Sequence, residues 1–177
     1  MKHWNWLGFG AVTLGGTILH FLYDWTGGSI WVAPFSGVSE SVWEHMKLLF
    51  WPLFLFALIQ RLFFREQENF WSVKLWSILL GLLLIPVLFY TYNGAFGKSP
   101  DWVNIAIFYI SAGAVFLFEG WAFQNIRRSS RLAFIAICLV GALFVVFTFA
   151  PPRLPLFQEL NNNFSFVWTS LPQKAVV

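Results

Sequence analysis

Charge is what this sequence has least of. Only 11% of its 177 residues are Asp, Glu, Lys or Arg, against roughly a quarter in soluble domains. So few charges cannot cover the surface of a water-soluble protein of this size, and that class is excluded. Cysteine is nearly absent as well. Cys138 stands alone, so no intramolecular disulfide can form, and in its apolar run it reads as a small, buried packing residue. Catalytic signatures are missing too: there is no G-x-S-x-G, no H-E-x-x-H or H-x-x-x-H pair, and no phosphate-cradling glycine loop after a strand. The glycine-rich GFGAVTLGG lies inside an apolar run, where it serves close packing rather than nucleotide binding.

What the chain does have is apolar and aromatic mass. It is 58% hydrophobic and 21% aromatic, with 22 Phe and 11 Trp, as suits a lipid-facing chain anchored at membrane interfaces. The length is that of one domain. The net charge of +3 does not point to nucleic acid, because the basic residues sit between apolar runs, where membrane topology accounts for them.

About 20 mostly apolar residues are needed to cross the hydrocarbon as a helix. Five segments qualify, at about 4–25, 41–64, 70–92, 102–123 and 132–150, which predicts an all-α integral membrane bundle. The first is too long, and lacks the A-x-A-like site, for a signal peptide; it reads as a retained helix. The second spans only if Lys47 and Arg61 snorkel toward opposite interfaces. Arg61, Arg65 and Lys74 surround the second connection and Arg127, Arg128 and Arg131 fill the fourth. With Lys2 they outnumber Lys98, Arg153 and Lys174 on the other side. The positive-inside rule then puts the N-terminus in the cytoplasm and the C-terminus outside, in the plasma (cytoplasmic) membrane. Residues 151–177 are expected as an outer interfacial tail. Ala11 with Gly15, and Cys138 with Ala142, have small-xxx-small spacing for helix contacts. Pro52 and Pro86 each remove one helical hydrogen bond.

That topology gathers the polar residues. His20 and Asp24, four apart, share a helix face near the outer end of the first helix. Glu40, Glu44 and His45 open the second, Tyr90, Tyr92 and Asn93 form a turn closing the third, and Asp101 opens the fourth. All are expected to meet in one outward-facing pocket. Glu119 lies at the inner end, within reach of the Arg127–Arg128 loop. A bland reading accounts for part of the cluster. Ser41-Val-Trp-Glu44 has capping-box spacing, with Glu44 reaching back to the Ser41 N–H; Glu40 complements the helix dipole; Lys47 pairs with Glu44; and the tyrosines anchor an interface. Yet a cap needs one polar side chain, and ionisable groups near a span are costly.

The excess points to a site. His20, Asp24, Glu40, Glu44 and His45 are all acceptable ligands for a divalent metal such as zinc, with His20, Asp24, Glu44 and His45 as the expected set. With an open coordination position, such a metal would support hydrolysis of a lipid or peptide. Alternatively the carboxylates bind a proton or an organic cation directly, flanked by Trp25, Trp31 and Trp43. The leading expectation is binding or transport of a cation. A metal-dependent membrane hydrolase or lipid-modifying enzyme is the second, and an accessory subunit the third. The bilayer is the expected partner, with a small cation or a lipid as ligand.

The elements GTILHFLYDW, SESVWEHMKLLFWP, FYTYNGAFG and FTFAPPRLPLF resemble those of a family of small, uncharacterised prokaryotic multi-pass membrane proteins, a domain of unknown function. The likeness covers nearly the whole chain, and its W-E-H-x-K element falls on Trp43 to Lys47. Ser39 replaces the family's usual Asn, and Asn93 stands where Thr is common. The resemblance implies about five helices and brings no activity with it.

Overall fold

The computed structural model describes residues 2–127 and 131–158. Five long helices account for most of them: α1 (Lys2–Trp25), α2 (Val42–Phe63), α3 (Phe70–Phe96), α4 (Asp101–Asn125) and α5 (Arg131–Phe149). A short 3-10 turn follows at Pro155–Phe157, and no strand occurs among the described residues. All five helices are long and apolar enough to cross a membrane. Their outward faces are apolar as well, with Trp6, Leu14, Leu83, Leu117 and Leu139 exposed, which suggests a lipid environment.

Helices α1 to α4 close into a four-membered ring. α1 lies against α2 and α4, α3 completes the circuit between α2 and α4, and α5 stands outside against α3 and α2. The core runs along the axis through Val12, Leu49, Leu53, Ile78, Ile85, Ala112 and Val115. Glycines set the closest approaches. A Cβ on Gly8 would collide with the Phe116 and Phe56 rings, one on Gly16 with Phe108, and one on Gly81 with Val115. At Gly15 a Cβ would come within 3.1 Å of Pro52. α1 therefore lies directly over the α2 proline, where the Leu48 carbonyl has lost its helical donor.

The packing stripe of α1 is Gly8, Val12 and Gly16, and the exposed Ala11 is not part of it. On α5 the buried stripe is Ala133, Ile137, Gly141 and Phe144, while Cys138 is exposed and Ala142 with it. Both corrections have one cause. Small-xxx-small spacing identifies a helix face but not which face meets a neighbour, and here the buried stripe runs one position away, through Val12 and Gly16 on α1 and Ile137 and Gly141 on α5.

α3 runs past the expected end, so Tyr90, Tyr92 and Asn93 are helical rather than a turn. The break comes at Gly97, whose φ of +82° suits glycine. Beyond α5 the chain folds back, and Phe157 is buried with its ring 4.6 Å from Trp43 at the start of α2. The remainder of the expected tail, Arg128 and Lys174 lie outside the described residues.

Candidate functional site

The residues 26–41 between α1 and α2 are tied down at several points. The Ser36 hydroxyl donates to the Leu19 carbonyl and accepts from the Tyr23 N–H, and Gly37 N–H donates to Leu19 O, so the loop caps the end of α1. From α2, Trp51 Nε1 donates to Pro34 O at 2.9 Å. Lys47, wholly buried, donates to Ala33 O at 2.8 Å and to the Thr148 hydroxyl of α5 at 3.2 Å. Its ammonium also meets Glu44 Oε2 at 2.6 Å. Glu44 Oε2 in turn accepts from Val38 N–H at 2.9 Å.

Only half of the expected capping box forms. The Ser41 hydroxyl accepts from Glu44 N–H at 3.3 Å, but the Glu44 side chain points to Val38 and Lys47 rather than back to Ser41. The adjacent ammonium is a far stronger partner for a buried carboxylate than one amide. Glu44 and Lys47 thus fasten the loop and α5 to α2.

With the loop fixed, Glu40 is held at the lip of a cavity of about 650 Å³ formed by α1, α2, α3 and α4. His20, Glu40 and His45 line it together, and Asp101 and Asn104 face it from α4. The two carboxylate oxygens of Glu40 lie 3.7 Å from His20 Nε2 and 3.7 Å from His45 Nε2 respectively. The imidazole rings are 5.9 Å apart, centre to centre. His45 Nδ1 lies 2.9 Å from the Ser41 carbonyl oxygen. A carbonyl can only accept, so Nδ1 carries the proton, and in the neutral ring Nε2 is a bare acceptor. With the ring in that state two acceptors, His45 Nε2 and the Glu40 carboxylate, face one another across a gap too long for a hydrogen bond. No donor among the described side chains bridges them.

The structure does not bring the whole predicted set together. Asp24 is exposed, does not line the cavity, and its carboxylate has no ion pair or hydrogen bond among the described residues; His20 turns to Glu40 instead. Glu44 is committed to Lys47. Of the four proposed metal ligands only His20 and His45 share the cavity, and no three of His, Cys, Asp or Glu among the described residues are grouped to hold a metal ion. Tyr90 and Tyr92 lie outside the cavity lining. Asn93 acts from behind: its Oδ1 accepts from Ser99 N–H at 2.8 Å and its Nδ2 donates to Ser99 Oγ at 3.3 Å. The Ser99 hydroxyl donates to Asn104 Oδ1 at 2.8 Å.

That chain of bonds fixes the α3–α4 corner and adds Lys98, Ser99 and Asn104 to the cavity wall. In the sequence Lys98 stands out only as a loop charge. The signal that could have found all three was Ser99-Pro100-Asp101, a helix start that delivers its flanking polar residues to the same end as His20 and His45. At the opposite end, Lys74 of α3 and Glu119 of α4 form a buried ion pair, Nζ to the two oxygens at 2.6 and 2.7 Å. Glu119 therefore pairs across helices rather than with the arginine loop, because α3 and α4 pack closely over this stretch.

Residues 1–164 match a family model described as "Family of unknown function (DUF6512)". No curated protein and no solved structure matches the chain.

Proposed function

The chain belongs to that family of unknown function, which brings no activity with it, and from the geometry we propose that it is an integral membrane protein that binds a cation in the cavity lined by His20, Glu40, His45 and Asp101. The observation that carries this reading is the pair of facing acceptors. With the His45 ring neutral, its Nε2 and the Glu40 carboxylate are both acceptors, and a proton or an N–H donor between them satisfies both. A primary ammonium brings positive charge and three donors to that spot. The lining supports the sign: Glu40 and Asp101 set two negative charges against the one positive charge of Lys98. The rings of Phe21, Phe89 and Phe108 add faces that favour a cation over an anion.

Orientation follows from the loop charges. Arg61, Arg65, Arg127 and Arg131 lie at the end away from the cavity, and Lys98 and Arg153 at the cavity end. Lys74 leaves the count, since it is buried against Glu119. The imbalance still favours an N-terminus in the cytoplasm and a cavity open to the outside of the cytoplasmic membrane.

Isothermal titration of the detergent-purified protein with ethylammonium tests the reading, with tetramethylammonium and zinc as comparison ions. Saturable binding of ethylammonium, weakened at least tenfold by Glu40→Gln, is the expected result. Equal affinity for tetramethylammonium, which has no N–H, would remove the facing acceptors from the account. Tight zinc binding that survives Glu40→Gln, with no ethylammonium binding, would overturn it.

A further inference from the structure

The cavity is open on its side as well as at its mouth. Its wall includes Phe21 of α1 and Ile105 and Tyr109 of α4, and these are 45%, 58% and 42% exposed. They belong at once to the cavity and to the apolar exterior of the bundle. Gly16 of α1 packs against Phe108 of α4, both line the same cavity, and the exposed Phe21, Ile105 and Tyr109 mark a cleft between the two helices. Trp25 at the end of α1 and Trp102 at the start of α4 are both 67% exposed, as at a membrane interface. A ligand that leaves through the cleft enters hydrocarbon rather than water.

The polar wall is two-signed. Glu40 and His45 Nε2 present acceptors. Lys98 presents an ammonium with no ion-pair partner among the described residues, and the Asn104 amide, its oxygen already accepting from Ser99, retains its two N–H donors. A soluble ammonium satisfies only the first pair. A phosphate carried on the same molecule satisfies the second, since lysine and amide donors bind phosphate oxygens. An acyl chain fits the third feature, the apolar cleft.

Resting on the cation reading above, we infer that the occupant is a phospholipid with a primary-ammonium headgroup. Its ammonium lies between Glu40 and His45, its phosphate against Lys98 and Asn104, and its chains leave between α1 and α4 over Ile105. Non-covalent binding is the whole of the claim; no bond is made or broken.

Native mass spectrometry of the full chain in detergent, titrated with phosphatidylethanolamine or phosphatidylglycerol, tests this. The ethanolamine lipid should bind at least tenfold more tightly than the glycerol lipid, and Glu40→Gln should abolish that preference. Ile105→Trp, a change on an exposed face that fills the cleft, should weaken the ethanolamine lipid at least fivefold. Equal binding of the two lipids, or an Ile105→Trp variant that binds the ethanolamine lipid like the native chain, overturns the inference. If ethylammonium still binds in a Glu40-dependent way in that case, the cation reading stands alone. If ethylammonium fails as well, both fall.

Discussion

At the scale of single residues, the two buried ion pairs are structural and the exposed carboxylate is the functional candidate. Lys74 and Glu119 are 1% exposed each. Lys74 Nζ also lies 5.7 Å from the centres of the Phe56 and Phe70 rings. Taking away one partner leaves a charge with no solvent and no counter-ion, which costs about 3–5 kcal/mol, whereas replacing both with apolar residues of similar volume is often neutral. Glu119→Gln should therefore lower the unfolding midpoint sharply, and Lys74→Met with Glu119→Leu should restore most of it; thermal denaturation in detergent measures both. Losing the Ser41 cap is milder, about 1 kcal/mol for Ser41→Ala by the same assay. The cap and the Glu44–Lys47 pair were legible because both lie within one helical turn. The Glu119 partner was not, since it lies 45 positions away and depends on how two helices register. Asp24 was misplaced for a related reason: i, i+4 spacing shows that it shares a face with His20, not what that face meets.

At the scale of elements, the five helices could be read from hydropathy because each is long and apolar enough to cover the hydrocarbon thickness. The observed ends fall close to the expected ones except in α3. There Asn93-Gly94 reads as a turn in sequence but is helical, because the Asn93 side chain is engaged by Phe89 O and Ser99 and the true stop is Gly97. Glycine-mediated contact between α1 and its neighbours also belongs to this scale. Gly16→Leu would drive a side chain into Phe108 and the Leu48 carbonyl. Overpacking of this kind costs about 1–3 kcal/mol. We expect a lower unfolding midpoint and, because Phe108 also lines the cavity, weaker ethylammonium binding in the fraction that remains folded. Gly10→Leu is the control, since a Cβ at Gly10 meets nothing within 4 Å; it should leave both readouts unchanged.

At the scale of the whole molecule, topology builds the site. Four helix ends and two connections assemble the cavity, and the arginine-rich loops lie at the other end. The gathering of polar residues at one end was legible in the sequence, because alternating helix directions bring the end of α1 beside the starts of α2 and α4. Which of them face inward was not, since rotation about each helix axis is set by packing. Cysteine accessibility tests the orientation. In a Cys138→Ser background, Lys98→Cys should react with a membrane-impermeant maleimide added to intact cells, and Arg65→Cys should react only after permeabilisation. The reverse pattern would put the cavity on the cytoplasmic side.

In the proposed reading a cation occupies the gap between Glu40 and His45. The chain has three histidines, so protein labelled with nitrogen-15 only at histidine gives a spectrum simple enough to assign by single His→Gln variants. His3 lies at the far end of α1 and serves as an internal control. Titrating ethylammonium at a pH where the imidazoles are neutral should move the acceptor Nε2 resonance of His45 along a saturable curve and leave His3 unmoved. A His45 resonance that stays fixed, or one that drifts in step with His3, would contradict the account.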